Sequence, residues 1–486
     1  MSAFQAMSRS LAFGLGFYVP RVVTLATLPI YARALAPRDF ALIAIVEMLT
    51  GFVAVLVNAG FTNAALRYHA DEADRDGQNT VFITALASVL GIGLVLGLVV
   101  SVSTSALGGM LVWPGVSHEI LKFVPAIMII AVCDSGNAIL QVMFRARGEP
   151  SGFLVVTLCR VIPAAALSIY LVVARDMGIA GFLWGAIVGS AGALAGCGVW
   201  LCVRNWARPR IALARELVKY AAPYVPLAFF EFIGGRAGLL CLSLTGDARL
   251  IATYAMAEKL GTTVQAAYAP IGFVVTPWMF KIGMRQEAPQ RFAVLISVLV
   301  FMLGLLLIPM GGFAAELVTL IGGASYVDSS PLVFPLALAF GVAALRPVFR
   351  AGITITKKTH YMPIVAAVAA GLGLVTSWLL IQLIGLPGAA WGTALTAVLG
   401  TGLGFYVSQR FLFVPVRWLH LALTAIIVAA GAASVSAVPN SDGLGLKIAA
   451  AIGFLGAAVL VAVPALRSIR TVRADAPLEI EGRAHA

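Results

Sequence analysis

The sequence predicts an all-α polytopic membrane protein: fourteen transmembrane helices, in two six-helix lobes related by a pseudo-two-fold axis along the membrane normal, plus two extra C-terminal helices. Three observations carry this. The 486 residues are 61% hydrophobic and 11% charged, with a mean hydropathy of +0.98, where a soluble chain carries about 25% charged residues. Apolar runs of roughly 20 residues, enough to cross a bilayer core, recur along the whole chain. The second half also repeats features of the first at a nearly constant spacing.

The runs fall at residues 10–34, 40–66, 80–106, 119–144, 151–174, 179–203, 217–244, 249–280, 291–312, 328–353, 360–384, 388–409, 417–438 and 445–467. Helix 1 contains "GFYVPRVVTLATLPIYARAL", with Arg21 inside the span. An arginine there costs roughly 2.5–3.5 kcal/mol on insertion scales, so something must compensate it. Helix 2 carries Glu47, and helix 4 carries Asp134 with Asn137 one turn away. Helix 5 carries Arg160. Helix 6 presents Gly185, Gly189, Gly192 and Gly196, a small-residue face suited to close packing. Helix 7 holds Glu231 and Arg236, helix 8 holds Glu258 and Lys259, and helix 10 holds Arg346 before Pro347. Prolines 20, 29, 125, 223, 226, 270 and 277 lie in helices 1, 4, 7 and 8. Proline frees a backbone carbonyl and bends a helix. Helices 1 and 7 are therefore expected to bend as the protein opens and closes, with static kinks as the alternative. The connections are short. The longest, 107–118 and 313–327, leave no room for a soluble domain.

Placing the N-terminus in the cytoplasm puts 22 of the 33 Lys and Arg at cytoplasmic ends, 6 outside and 5 within spans. This follows the positive-inside rule, and an even helix count returns the C-terminus to the cytoplasm. The net charge of +12 is then a topological signal and an attraction to anionic lipid. No separate basic patch remains for a nucleic acid.

"PRDFALIAIVEML" (37–49) lies over "ARLIATYAMAEKL" (248–260) at an offset of 211, with Glu47 over Glu258. Arg147 lies over Lys357 at an offset of 210, and "GIAGFLWG" (178–185) over "GLPGAAWG" (385–392) at 207. Six helices per repeat make the copies parallel, the plan of transporters in which one lobe rocks against the other. The expected units are an N-lobe (1–205), a C-lobe (206–411), helices 13 and 14 (412–470) and a disordered tail (471–486). The tail contains Ile-Glu-Gly-Arg, an added protease-recognition sequence. No cleavable signal peptide is expected, because the first apolar run is too long for one.

The segment "LATLPIYARALAPRDFALIAIVEMLTGFVAVLVNAGFTNAALRYHA" (25–70) resembles the opening helix pair of the Wzx-type (O-antigen) polysaccharide flippases. There a Leu-Pro-rich helix 1 ends in an Arg-x-Leu-x-Pro turn, and helix 2 ends in a stretch matched here by Asn58, Gly60 and Arg67. The glycine patterns opening helices 6 and 12 are similar to the same family's. The chain departs from it after the helix 1 turn, with Asp39-Phe40-Ala41 in place of Glu-Tyr-Gly. The characteristic opening of the lipid II flippases is absent. The resemblance covers nearly the whole chain and implies the multidrug/oligosaccharidyl-lipid/polysaccharide exporter superfamily. It implies translocation of a polyprenyl-diphosphate-linked oligosaccharide to the periplasmic leaflet of a bacterial inner membrane, by alternating access coupled to H+, Na+ or the membrane potential. It also implies contact with membrane lipid and with polysaccharide polymerase machinery, and products feeding O-antigen and lipopolysaccharide.

Ionisable residues within spans are rare and mark pathways. Arg21, Arg236, Arg346 and Lys259 are the candidate substrate-binding residues, because guanidinium groups clasp a diphosphate through bidentate charge-assisted bonds. Glu47, Glu258, Asp134 and Glu231 are the candidate ion-coupling residues, since a membrane carboxylate can exchange a proton or bind a cation. Each also has a plainer reading: Arg21 as the ion-pair partner of Glu47, the acids as counter-ions, Asp134 as a polar helix contact. Arg160 and Arg346 are long enough to snorkel to the headgroups. Lys259 and Glu258 point differently on their helix, so they need not pair.

No catalytic, metal or cofactor site is expected. The five cysteines form no Cys-x-x-Cys, the histidines sit near helix ends or in tails, and no P-loop or His-Glu-x-x-His occurs. A membrane polymerase or ligase would need large external loops with catalytic residues, and these offer little beyond His118, Glu119 and Glu316. A multidrug/organic-cation antiporter is the competing function. It would have twelve helices and a cavity dominated by acids, whereas the spans here hold five bases and four acids.

Overall fold

A computed structural model of the chain describes residues 3–58, 60–106, 118–204, 207–283, 285–416, 418–438 and 445–459. All regular structure among these is helical. Helix 1 is Ala3–Ala34, helix 2 Pro37–Asp71, helix 3 Arg75–Ala106, helix 4 Val124–Ala146, helix 5 Pro150–Ala174 and helix 6 Gly178–Arg204. Helix 7 is the bent pair Tyr224–Gly235 and Ala237–Ser243, helix 8 is Ala248–Ile282, helix 9 Ala288–Gly312 and helix 10 Ala324–Ile355. Helices 11 and 12 are Tyr361–Ile384 and Leu386–Gln409; Trp418–Ala437 and Gly445–Val459 follow as helices 13 and 14. Among the described residues nine helices are long and apolar enough to cross a membrane, and the bent pair makes a tenth. Residues 107–117 and 460–486, including the expected tail, lie outside the described part.

Local chemistry sets the boundaries. The Asp247 side chain accepts from the backbone N–H groups of Arg249 (2.9 Å) and Leu250 (3.2 Å), capping helix 8. Helix 2 is interrupted after Asn58. Gly60 has φ +81, and a Cβ there would lie 2.8 Å from the Ala221 carbonyl oxygen, so only glycine lets residue 221 approach.

Two expectations are corrected, helix 7 as a single rod and 313–327 as a bare connection. Helix 7 is not one rod over 217–244: an amphipathic helix, Ile211–Ala221, precedes it, and it bends by 68° at Arg236. That bend follows Gly234-Gly235. Pro223 and Pro226 sit at the start of the helix, where their missing N–H groups break no bond. Helix 1 likewise runs unbroken through Pro20 and Pro29. The segment 313–327, read as a connection, contains the helix Ala314–Gly322 and the 3-10 turn Ala324–Ser329.

The apolar packing is shared at one end of the bundle and divided at the other. A single core joins Tyr31 and Leu35 of helix 1 and Phe40 and Met48 of helix 2 to Leu242, Met256 and Leu336 of the second half. Towards the end bearing Arg67, Arg145, Lys281 and Arg410, the cores separate. One gathers Phe61, Phe144, Phe153 and Leu217; the other gathers Met279, Phe292, Leu345 and Phe405. Contacts between helices 1 and 8 there turn polar: the Tyr18 hydroxyl donates to the Ala267 carbonyl at 3.5 Å.

Candidate translocation site

Where the shared core gives way, charged side chains of both halves meet. Lys259 of helix 8 donates to the Glu47 carboxylate of helix 2. Its neighbour Glu258 turns to helix 7 and accepts from Arg236, the residue at the bend. At the bend Arg236 keeps its backbone bonds, to the Phe232 carbonyl (3.1 Å) and from the Leu240 N–H (2.8 Å), while the Gly238 N–H turns to Thr393 Oγ1. Helix 10 repeats the device: it breaks at Arg350, after Pro347, and Arg350 Nη1 donates to Glu231 Oε1 at 2.6 Å. The Arg350 side chain packs against Gly404, where a Cβ would stand 2.7 Å from its Nε. In the first half, Asp134 Oδ1 accepts from Arg160 Nη1 (2.9 Å) and from Ser190 Oγ (2.7 Å), and Asn137 donates to the Ser190 carbonyl (2.9 Å).

Every expected acid thus has a basic partner, and two expected cations are left over. Among the described residues no carboxylate lies within 4.0 Å of Arg21 or Arg346. Arg21 is exposed and makes a long hydrogen bond of 3.5 Å to Thr262 Oγ1. It feels Arg236 as well as Glu47 and Glu258. Arg346 feels Glu231 and Arg350, and its buried Nε has no partner. A cavity of about 400 Å³ opens beside this network, lined by helices 1, 2, 4, 5 and 6 and by Lys259.

The charge partners differ from the sequence reading in three places. Glu47 belongs to Lys259 and not to Arg21. Arg160 does not reach for headgroups; it pairs with Asp134. Arg350, counted with the cytoplasmic end residues, is 6% exposed and sits within the network. Its position four residues after Arg346, on the same helix face, was the available signal.

This is the fold of membrane transporters of the MOP superfamily. The chain belongs to the polysaccharide biosynthesis protein family, whose sequence profile matches residues 10–283, more than half of it. Its structure is similar to that of the lipid II flippase MurJ in an inward closed conformation, with a TM-score of 0.72 at 13% identity over 95% of this chain and 100% of that one. It is also similar to an inward-facing multidrug resistance MATE family transporter of the MOP superfamily, with a TM-score of 0.61 at 14% identity over 85% and 99%. No curated protein sequence matches.

Proposed function

We propose that this protein is a flippase. It moves a polyprenyl-diphosphate-linked oligosaccharide from the cytoplasmic to the periplasmic leaflet of a bacterial inner membrane, both termini being cytoplasmic. The observation that carries this reading is the pair Arg21 and Arg346, guanidinium groups without a carboxylate in a network whose acids are all taken. Uncompensated charge in a membrane is costly. A diphosphate offers the compensation and the bidentate geometry.

The mechanism follows from the packing. Residues 1–205 and 206–411 act as two lobes, with the helices of 412–470 alongside. The apolar core they share closes the periplasmic end, while the polar contacts at the basic end separate at lower cost. The sugar-diphosphate head enters there and the polyprenyl tail stays in lipid. As the phosphates take up Arg21 and Arg346, they also compete for Arg236 and Lys259. Glu258 and Glu47 then lose their cations and need another positive charge, a proton or sodium ion. Asp134 and Glu231 are held in the same way by Arg160 and Arg350. Ligand arrival is thereby tied to ion uptake and to separation of the Glu47–Lys259 link between lobes. The released head passes to polymerase machinery for O-antigen and lipopolysaccharide assembly.

The antiporter reading draws less support. The MATE structure leaves uncovered a share of the chain about as long as residues 412–486, and the free charges here are cations. The test is flux in proteoliposomes. A fluorescent lipid-linked oligosaccharide should cross at a rate that empty liposomes lack, while ethidium uptake should not rise. Ethidium uptake without lipid flux would favour the antiporter.

A further inference from the structure

We infer that the cavity of about 400 Å³ inside the first half is a subsite for the sugar attached to the diphosphate, and that it takes a neutral monosaccharide. The inference rests on the flippase reading and adds which part of the head goes where. Four charged side chains line the cavity, Glu47, Lys259, Asp134 and Arg160, and they cancel in two ion pairs. The chamber has zero net charge before the ligand arrives, and it stays neutral when the phosphates draw Lys259 away because Glu47 takes a proton or sodium ion in its place. The phosphates are drawn instead to Arg21 and Arg346, neither of which lines it.

The polar groups that remain suit a polyol. Asp134 takes both its hydrogen bonds on Oδ1, and among the described residues no donor reaches Oδ2. Arg160 gives Nη1 to Asp134, and among the described residues its Nη2 has no partner. A spare carboxylate oxygen and spare guanidinium N–H groups, held together by their own bond, offer an acceptor and donors side by side. Adjacent sugar hydroxyls present the matching pair, since each both gives and accepts. Thr24 and Thr27 donate to backbone carbonyls, which leaves their oxygens free to accept from further hydroxyls. Tyr31 and Phe182, edge to face at 5.7 Å, give an apolar wall for the C–H face of a ring. The volume lies within the range of about 300–1,000 Å³ of ordinary small-molecule sites.

The test is native mass spectrometry of the full-length protein, titrated with undecaprenyl diphosphate either bare or carrying one N-acetylglucosamine, glucose or galactose. At least one glycosylated lipid should bind about tenfold tighter than the bare one. That ratio should fall to near one in Ser190→Ala and in the charge-neutral double variant Asp134→Asn/Arg160→Gln. Arg21→Gln should weaken both lipids and keep the ratio. A wild-type ratio near one for all three sugars would overturn the subsite, as would a ratio that survives both cavity changes. If the double variant binds neither lipid, Ser190→Ala decides. Failure of the wild type to bind even the bare lipid would defeat the flippase reading, and the subsite with it.

Discussion

Lys259 on helix 8 donates to Glu47 on helix 2, an ion pair across the two halves of the chain made by residues 212 positions apart. The side chains are 24% and 36% exposed, neither sealed nor in bulk water. Lys259→Met leaves a lone carboxylate at bilayer depth. Its expected cost is about 1–3 kcal/mol, between the roughly 0–1 of an exposed pair and the 3–5 of a buried one. Adding Glu47→Gln should recover most of that loss. Thermal unfolding of the four proteins as a double-mutant cycle measures the coupling. Simple additivity would show that the pair does not link the halves.

The bend in helix 7 separates two glycines with opposite surroundings. A Cβ on Gly238 would lie 2.4 Å from the Ala389 carbonyl oxygen, while one on Gly235 meets nothing within 4 Å. Gly238 also donates its N–H to Thr393 Oγ1 at 3.1 Å. Gly238→Ala should therefore destabilise by about 1–3 kcal/mol or more, since backbone cannot easily give way. Gly235→Ala should change stability by no more than about 0.5 kcal/mol. If the bend angle changes during transport, Gly235→Ala should still slow flux. Normal flux in that variant would mark the bend as static.

The fold was legible because membrane helices declare themselves by apolar length, and most ends were placed within a few residues. The breaks were less so. Helix 7 breaks at Arg236, after Gly234-Gly235, and not at Pro226, whose place in the first turn costs no helical bond. The charged residues other than Arg350 were visible as anomalies within apolar spans. Their pairing was not, since Glu231 and Arg350 lie 119 positions apart and only packing brings them together. Arg350 was hidden by its closeness to Lys357 and Lys358, a cluster that reads as a cytoplasmic flank.

The direction of opening is testable by labelling. Thr262, half-buried beside Arg21, lies below the shared core on the route from the basic end. In a background with all five cysteines replaced, Thr262→Cys should react with a membrane-impermeant maleimide faster in inverted vesicles than in intact spheroplasts. Met256→Cys, inside the core, should react in neither. Faster labelling of residue 262 from outside would reverse the orientation.

The close approach of Arg350 to Gly404 gives a further test. Gly404→Ala drives a Cβ into the guanidinium and should loosen Glu231 from Arg350, lowering stability by about 1–3 kcal/mol. Arg350→Lys should also lose stability, because the shorter reach and single nitrogen of an ammonium cannot keep both the packing against Gly404 and the Glu231 bond that Nη1 makes. Unchanged unfolding temperatures for both would deny the contact any structural weight.

The most direct measurement is flux of a lipid-linked oligosaccharide in proteoliposomes, comparing wild type with Arg21→Gln, Arg346→Gln and both together. Each single change should lower the rate at least about tenfold, the double change should abolish it, and lysine at either position should restore part. Full flux with both guanidinium groups gone, in protein that remains folded, would contradict the proposal that these two cations hold the diphosphate.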